Sequence, residues 1–221
     1  MDREGFKVFR AVLPAIETER LRKAIDQIQE EEQSANLRDI LKKCRELREI
    51  IACGSLKVCL PSPRLEPVRS ILFDKTLEAN WPVARHQDLT IAVKERRDCE
   101  GYGPWSEKDG VIHVQAPELI LQKMVALRIH LDHTHSGNGA LKVIPGSHHR
   151  GKLNADEIAD LDTNKEVTLE CDSGDVIGMR PLLVHSSGRS ETWGHRRVIH
   201  IEYAPLHMLD PLLEWPDKVK H

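Results

Sequence analysis

Beyond Pro61, Pro63 and Pro67 the chain exchanges a helical period for a two-residue one. Val125–Asp132 shows this most clearly: Leu127, Ile129 and Leu131 fall on one side, Arg128, His130 and Asp132 on the other. Residues i and i+2 of an extended chain point the same way, so this alternation predicts a strand with one apolar and one polar face. Further strand-like runs cover 68–74, 81–93, 141–144, 166–170, 176–185 and 196–203. Turn signals separate them, among them Ser136-Gly137-Asn138-Gly139, Pro145-Gly146-Ser147-His148 and Ser173-Gly174-Asp175. Many short strands after a helical beginning predict an antiparallel sandwich or barrel. They argue against a doubly wound α/β fold, in which strands and helices alternate.

The helical beginning follows one alternating strand, Gly5 to Leu13. Pro14 and Thr18 lead into a helix through about Glu31, with Leu21, Ile25 and Ile28 at helical spacing. Asn36 is the expected N-cap of a second helix, carrying Leu37, Ile40, Leu41 and Leu47 to Ile51 before Gly54. Short helices are expected at 117–124 and at 154–161, the latter capped by Asn154. The expectation is one domain over 1–221, with a helical buttress at about 14–54 and a barrel at about 68–205. Residues 95–115, polar and glycine-containing with Tyr102, Trp105 and His113, read as a long loop and hence as a lid over whatever precedes them.

A length of 221 residues is enough for a substantial core, and a net charge of −3 with mixed signs gives no sign of nucleic-acid binding. The first residues lack an apolar run, so no signal peptide is expected, and no run of 18 apolar residues predicts a membrane span. Five cysteines, none in a Cys-x-x-Cys pair, read as reduced thiols of a cytoplasmic protein. The unusual count is twelve histidines, most of them after residue 112. Histidine is the commonest metal ligand, so the excess directs attention to a metal site.

Two His-x-Asp pairs lie on predicted strands, His86/Asp88 and His130/Asp132. On a strand either pair would direct an imidazole and a carboxylate to one point. With a third ligand, such a pair completes a two-histidine, one-carboxylate facial triad, which leaves positions open and suits non-haem Fe(II). His86/Asp88 is favoured because it precedes the candidate lid, whereas Arg128 shares the face of the second pair and would compete for Asp132. His185 is the hypothesised third ligand. The remaining histidines near turns (His133, His135, His148, His149) read as structural or surface residues.

The joint order of His86-Gln87-Asp88-Leu89, Leu131-Asp132-His133, Asn138-Gly139-Ala140-Leu141, Ile144-Pro145-Gly146-Ser147-His148, His185 and Arg196 resembles the phytanoyl-CoA dioxygenase (PhyH) family over roughly residues 5–205. The resemblance implies a mainly β double-stranded β-helix (jelly roll, cupin-like) with N-terminal helices. It also implies an oxygenase using Fe(II), 2-oxoglutarate and O2. His86, Asp88 and His185 match the family's iron ligands. Arg196, eleven positions after His185, matches the arginine that holds the far carboxylate of 2-oxoglutarate. Ser187 matches a polar residue beside that carboxylate, and Gln87 one near the cosubstrate or substrate. An arginine fork suits a carboxylate by its two parallel donors, but Arg196 and Arg197 alternate faces and spacing cannot choose between them.

Two positions depart from similar sequences: Arg85, where a tryptophan or other large residue is expected, and Arg128, where some relatives carry an aromatic. Arg128 and His130 would line the pocket, and Arg128 suggests an anionic substrate group or a second grip on 2-oxoglutarate. Lys75 would reach the site mouth. Because halogenating relatives have a small residue at the carboxylate position, Asp88 points to hydroxylation, releasing succinate and CO2. The chain is short for the family, which points to a small-molecule substrate rather than a CoA thioester. Two rival classes stand beside this: a non-redox cupin-like metal-binding isomerase or ligand-binding protein, and a catalytically silent interaction module.

Overall fold

The computed structural model describes residues 1–216. In chain order the elements are β1 (Phe6–Phe9), α1 (Ala15–Glu32), β2 (Leu37–Arg38), α2 (Ile40–Lys43), α3 (Arg45–Cys53), β3 (Glu66–Lys75), β4 (Val83–His86), β5 (Thr90–Val93), β6 (Trp105–Lys108), β7 (Val111–Gln115), α4 (Glu118–Leu121), β8 (Val125–His130), β9 (Leu141–Val143), α5 (Ala155–Ala159), β10 (Val167–Leu169), β11 (Val176–Met179), β12 (His185–Ser187) and β13 (Arg196–Ala204). A six-stranded sheet runs β1-β11-β8-β13-β3-β2, and a four-stranded sheet runs β10-β9-β12-β4. The third sheet, β5-β7-β6, has three strands. The pairings are antiparallel, as the short connections and turn signals predict. This is the double-stranded β-helix with N-terminal helices.

The large sheet is covered on both faces. On one, Leu127, Ile129, Ile199, Ile201 and Leu72 pack against Leu21, Ile25, Leu41, Leu47 and Ile50 of the helices. Leu21 and Ile25 are 0% exposed, so truncating either to alanine would cost about 2–5 kcal/mol. On the other face, Ala126, Ile177 and Met179 meet Leu141, Val143, Leu169 and Leu183 from the small sheet's side. Hence β8 and β13 are buried along their whole length.

Three expectations are corrected. Asn36 caps no helix: its Oδ1 accepts from the Asp74 amide at 3.2 Å, and Leu37 and Arg38 add an edge strand to β3 opposite Leu72 and Ile71. The unpaired edge of β3 takes two residues whose apolar spacing equally suits a helix. The runs 81–93 and 176–185 each split into two strands on different sheets, because alternation shows a strand without showing where the chain changes sheets. The expected lid at 95–115 holds β6 and β7, which close a sheet with β5. Val114 joins Ile91, Val93, Met124, Leu213 and Trp215 in a separate core, with Tyr102, Trp105 and Ile112 packed against it. None of these residues lines the cavity described below.

The Asn154 cap is a full capping box with Glu157. Among the described residues no helix is long and apolar enough to cross a membrane. All five cysteines are free thiols. Burial pushes the Cys44 and Cys59 thiols up to about 11 and Cys171 up to about 12.

Candidate active site

His86 ends β4 and His185 begins β12, and the two are direct partners in the antiparallel ladder. Their rings lie 4.2 Å apart, centroid to centroid. Each Nδ1 sits 2.9 Å from the carbonyl oxygen two residues earlier, of Ala84 and Leu183 respectively. A carbonyl only accepts, so Nδ1 carries the proton and each Nε2 presents a lone pair. Both lone pairs face Asp88: His86 Nε2 is 3.7 Å from Oδ1 and His185 Nε2 is 3.7 Å from Oδ2. The three donor atoms lie within 4.8 Å of one another. Burial, the largest influence, lowers the His185 pKa to about 4, which keeps the ring neutral. Burial would raise Asp88, but His185, His200, His86 and Arg69 outweigh it and hold the carboxyl at about 2.

Asp88 is not on the strand, contrary to the i, i+2 argument. β4 stops at His86, and the Asp88 amide donates to the Pro181 carbonyl at 2.9 Å. Gln87 makes this turn. Its Nε2 donates to the Gly151 and Leu182 carbonyls at 2.8 and 2.7 Å, and its Oε1 accepts from the Leu153 amide at 2.8 Å. Its amide is thus committed to backbone, and it is absent from the cavity lining. Ser147, in the turn after β9, accepts the Val184 amide at 2.9 Å and so steadies the approach to His185.

A cavity between the two main sheets has the three residues in its wall, together with Arg196, Lys75, Ser187 and Arg128. The ladder decides between the neighbouring arginines. Arg196 stands opposite Lys75 and turns into the cavity. Arg197 turns to the helix side, where Nε and Nη2 each lie 2.9 Å from Asp132 and Nη1 bonds Asp26. Arg196 is 4% exposed, its Nε has no partner, and among the described residues no carboxylate pairs with it. Burial first, then the nearby Arg128, lowers its pKa to about 10.

Lys75 is buried inside the cavity rather than poised at its mouth. Nζ donates to Ser187 Oγ at 2.8 Å and to the Gly188 carbonyl at 2.5 Å. Burial, reinforced by Arg196, Arg128 and Arg189, lowers its pKa to about 7. His130 is corrected too: although buried beside β13, it does not line the cavity, and its Nδ1 bonds Thr134 Oγ1 at 2.9 Å. The second His-x-Asp pair is therefore split, since Asp132 serves Arg197.

Sequence reasoning missed Arg69, Phe73, His200 and Glu202, all in the cavity wall. The signal was available: 69, 73 and 75 share parity on β3, as 196, 200 and 202 do on β13.

The chain as a whole is similar to known proteins. The family model for phytanoyl-CoA dioxygenase (PhyH) matches residues 1–198. The chain belongs to this family. The human peroxisomal phytanoyl-CoA dioxygenase is 27% identical over 172 residues, covering 69% of this chain and 44% of the human protein. The chain thus spans less than half the length of that family relative. Among solved structures, the 2-oxoglutarate-dependent carbocyclase SnoK from nogalamycin biosynthesis aligns with TM-score 0.66 at 17% identity, covering 93% of this chain and 81% of SnoK. HygX from Streptomyces hygroscopicus, solved with nickel and 2-oxoglutarate, aligns with TM-score 0.64 at 18% identity over 92% of this chain and 83% of its own. At such identities these two share the family's fold.

Proposed function

We propose that the chain is an Fe(II)- and 2-oxoglutarate-dependent dioxygenase that hydroxylates a small-molecule metabolite. One observation carries the reading: His86, His185 and Asp88 present convergent donor atoms in the same cavity wall as the unpartnered, buried guanidinium of Arg196. Two imidazoles and one carboxylate fit Fe(II) and leave coordination positions open. A buried charge without a counter-ion is costly, so Arg196 fits a site completed by an anion such as the far carboxylate of 2-oxoglutarate.

The iron and cosubstrate supply the oxidation, in which substrate C–H, O2 and 2-oxoglutarate become C–OH, succinate and CO2. The protein supplies geometry. The carbonyls of Ala84 and Leu183 hold both imidazoles in the tautomer with Nε2 free, and Gln87 holds the turn that presents Asp88. Ser187 and Lys75 form the polar end of the cavity around Arg196. Ile71, Phe73, Trp81, Val83 and Leu141 give the rest an apolar wall that excludes water.

The test is dioxygen-dependent succinate release on adding Fe(II) and 2-oxoglutarate to the full chain. Asp88→Ala is expected to abolish it and to weaken metal binding, read by titration with Fe(II) under anaerobic conditions. A wild-type protein that binds metal without releasing succinate is a non-redox cupin-like protein, and turnover undiminished in the variant removes Asp88 from the site.

A further inference from the structure

The charges in the cavity wall do not close. Its cations are Arg69, Lys75, Arg128 and Arg196, and its anions Asp88 and Glu202. Arg69 Nη1 pairs with Glu202 Oε1 at 2.9 Å and cancels it. On the function proposed above, Fe(II), the 2-oxoglutarate dianion, Asp88 and Arg196 also sum to zero. Two cations then remain, Lys75 and Arg128. Lys75 is solvated, though not neutralised, by the Ser187 hydroxyl and the Gly188 carbonyl, whereas Arg128 has no oxygen acceptor among the described residues. Arg128 is 9% exposed, its Nε has no partner, and among the described residues no carboxylate pairs with it. Its one hydrogen bond runs from Nη1 to His200 Nδ1 at 3.3 Å, and its guanidinium sits 5.6 Å from the centre of the Phe73 ring. His200 Nε2 in turn faces Glu202 Oε1 at 3.5 Å. The row Arg69–Glu202–His200 orients Arg128 without neutralising it.

The backbone of Arg128 is set along the sheet from that of Arg196. It stands opposite His200 on β13, four residues from Arg196, or about 13 Å of strand. 2-Oxoglutarate has two carboxylates, one committed to the metal and one to Arg196, so it has none left for a second arginine.

We propose that Arg128 receives a carboxylate of the primary substrate, and that the enzyme acts on a small carboxylic acid whose remaining body lies against the apolar wall. Arg128 offers one positive charge with neither a carboxylate nor an oxygen acceptor beside it, which one carboxylate would match. This rests on the oxygenase reading only for the charge already assigned to iron and cosubstrate.

The experiment uses the full chain loaded with Ni(II) in place of Fe(II). Calorimetric titration with 2-oxoglutarate is expected to show at least about a tenfold loss of affinity in Arg196→Gln but within about threefold of wild type in Arg128→Gln. A panel of aliphatic and aryl monocarboxylates, each paired with its primary amide, is then screened by thermal shift. Acids are expected to bind about tenfold or more tightly than their amides, with the preference lost in Arg128→Gln and partly kept in Arg128→Lys. Because Arg128 is an uncompensated buried charge, ligand-free Arg128→Gln is expected to melt at or above the wild-type temperature, which also reports folding. The proposal is overturned if Arg128→Gln weakens 2-oxoglutarate as Arg196→Gln does, if amides bind like acids, if no acid in the panel binds, or if the variant melts well below wild type. Failure of wild type to bind 2-oxoglutarate sinks the oxygenase reading instead, and the acid–amide contrast is then scored without cosubstrate.

Discussion

Arg196 and Arg197 are one peptide apart and face opposite sides of β13. Arg197 is the structural member: its backbone amide and two guanidinium nitrogens converge on Asp132, with Asp26 on the remaining arm. Breaking a buried pair by removing one partner costs about 3–5 kcal/mol. Arg22 Nε lies 3.2 Å from Asp132 Oδ1 and keeps that carboxylate from being orphaned, so Arg197→Ala should fall at the lower end, about 3 kcal/mol. For a chain of this size that is a drop in Tm of about 6–12 °C by calorimetry. Arg196→Gln removes a buried charge that has no partner, and its Tm without ligands should match or exceed the wild-type value while 2-oxoglutarate binding is lost.

At the scale of the element, the site depends on a turn rather than a strand. Between β4 and β5 the chain changes sheets, and Gln87 secures the change with three hydrogen bonds to backbone groups of Gly151, Leu182 and Leu153. Gln87→Ala leaves those buried groups unpaired, a loss of about 2–4 kcal/mol. Asp88 is the next residue, so metal affinity should fall about 10–100-fold, as for other supports of a ligand shell. Anaerobic Fe(II) titration together with a denaturant melt would separate the two effects. A variant destabilised but undiminished in metal affinity would make Gln87 a support of the fold alone.

Across the whole molecule, the N-terminal segment is tied to the barrel by Asp175, which accepts from Arg10 Nη1 at 2.6 Å and from the amides of Ala11 and Asp172 at 2.8 and 2.9 Å. Burial would raise its pKa, but these donors outweigh it and hold the carboxyl below its ordinary value. A depressed carboxylate contributes stability that is present above the unfolded pKa, near pH 4, and is lost as pH falls through the folded value. Asp175→Asn should therefore be less stable than wild type at pH 7, and the gap should narrow as pH falls below about 4 in paired thermal melts. A gap independent of pH would assign the effect to the hydrogen bonds alone.

The order of segments, the alternation of Val125–Asp132 and the Asn154 cap were legible because they depend on neighbours close in sequence, and so was the set His86, Asp88, His185 and Arg196 once the motifs were taken together. Local pattern could not say that Leu37 and Arg38 would complete the edge of β3, that 105–115 would build a hairpin with its own core, or that Gln87 would spend its amide on three distant backbone groups. Nor could it choose Arg196 over Arg197, or show Arg128 in the cavity wall without a carboxylate. Periodicity records which residues share a face. Which sheet that face meets, and which charges find partners there, is settled only when segments distant in sequence pack together.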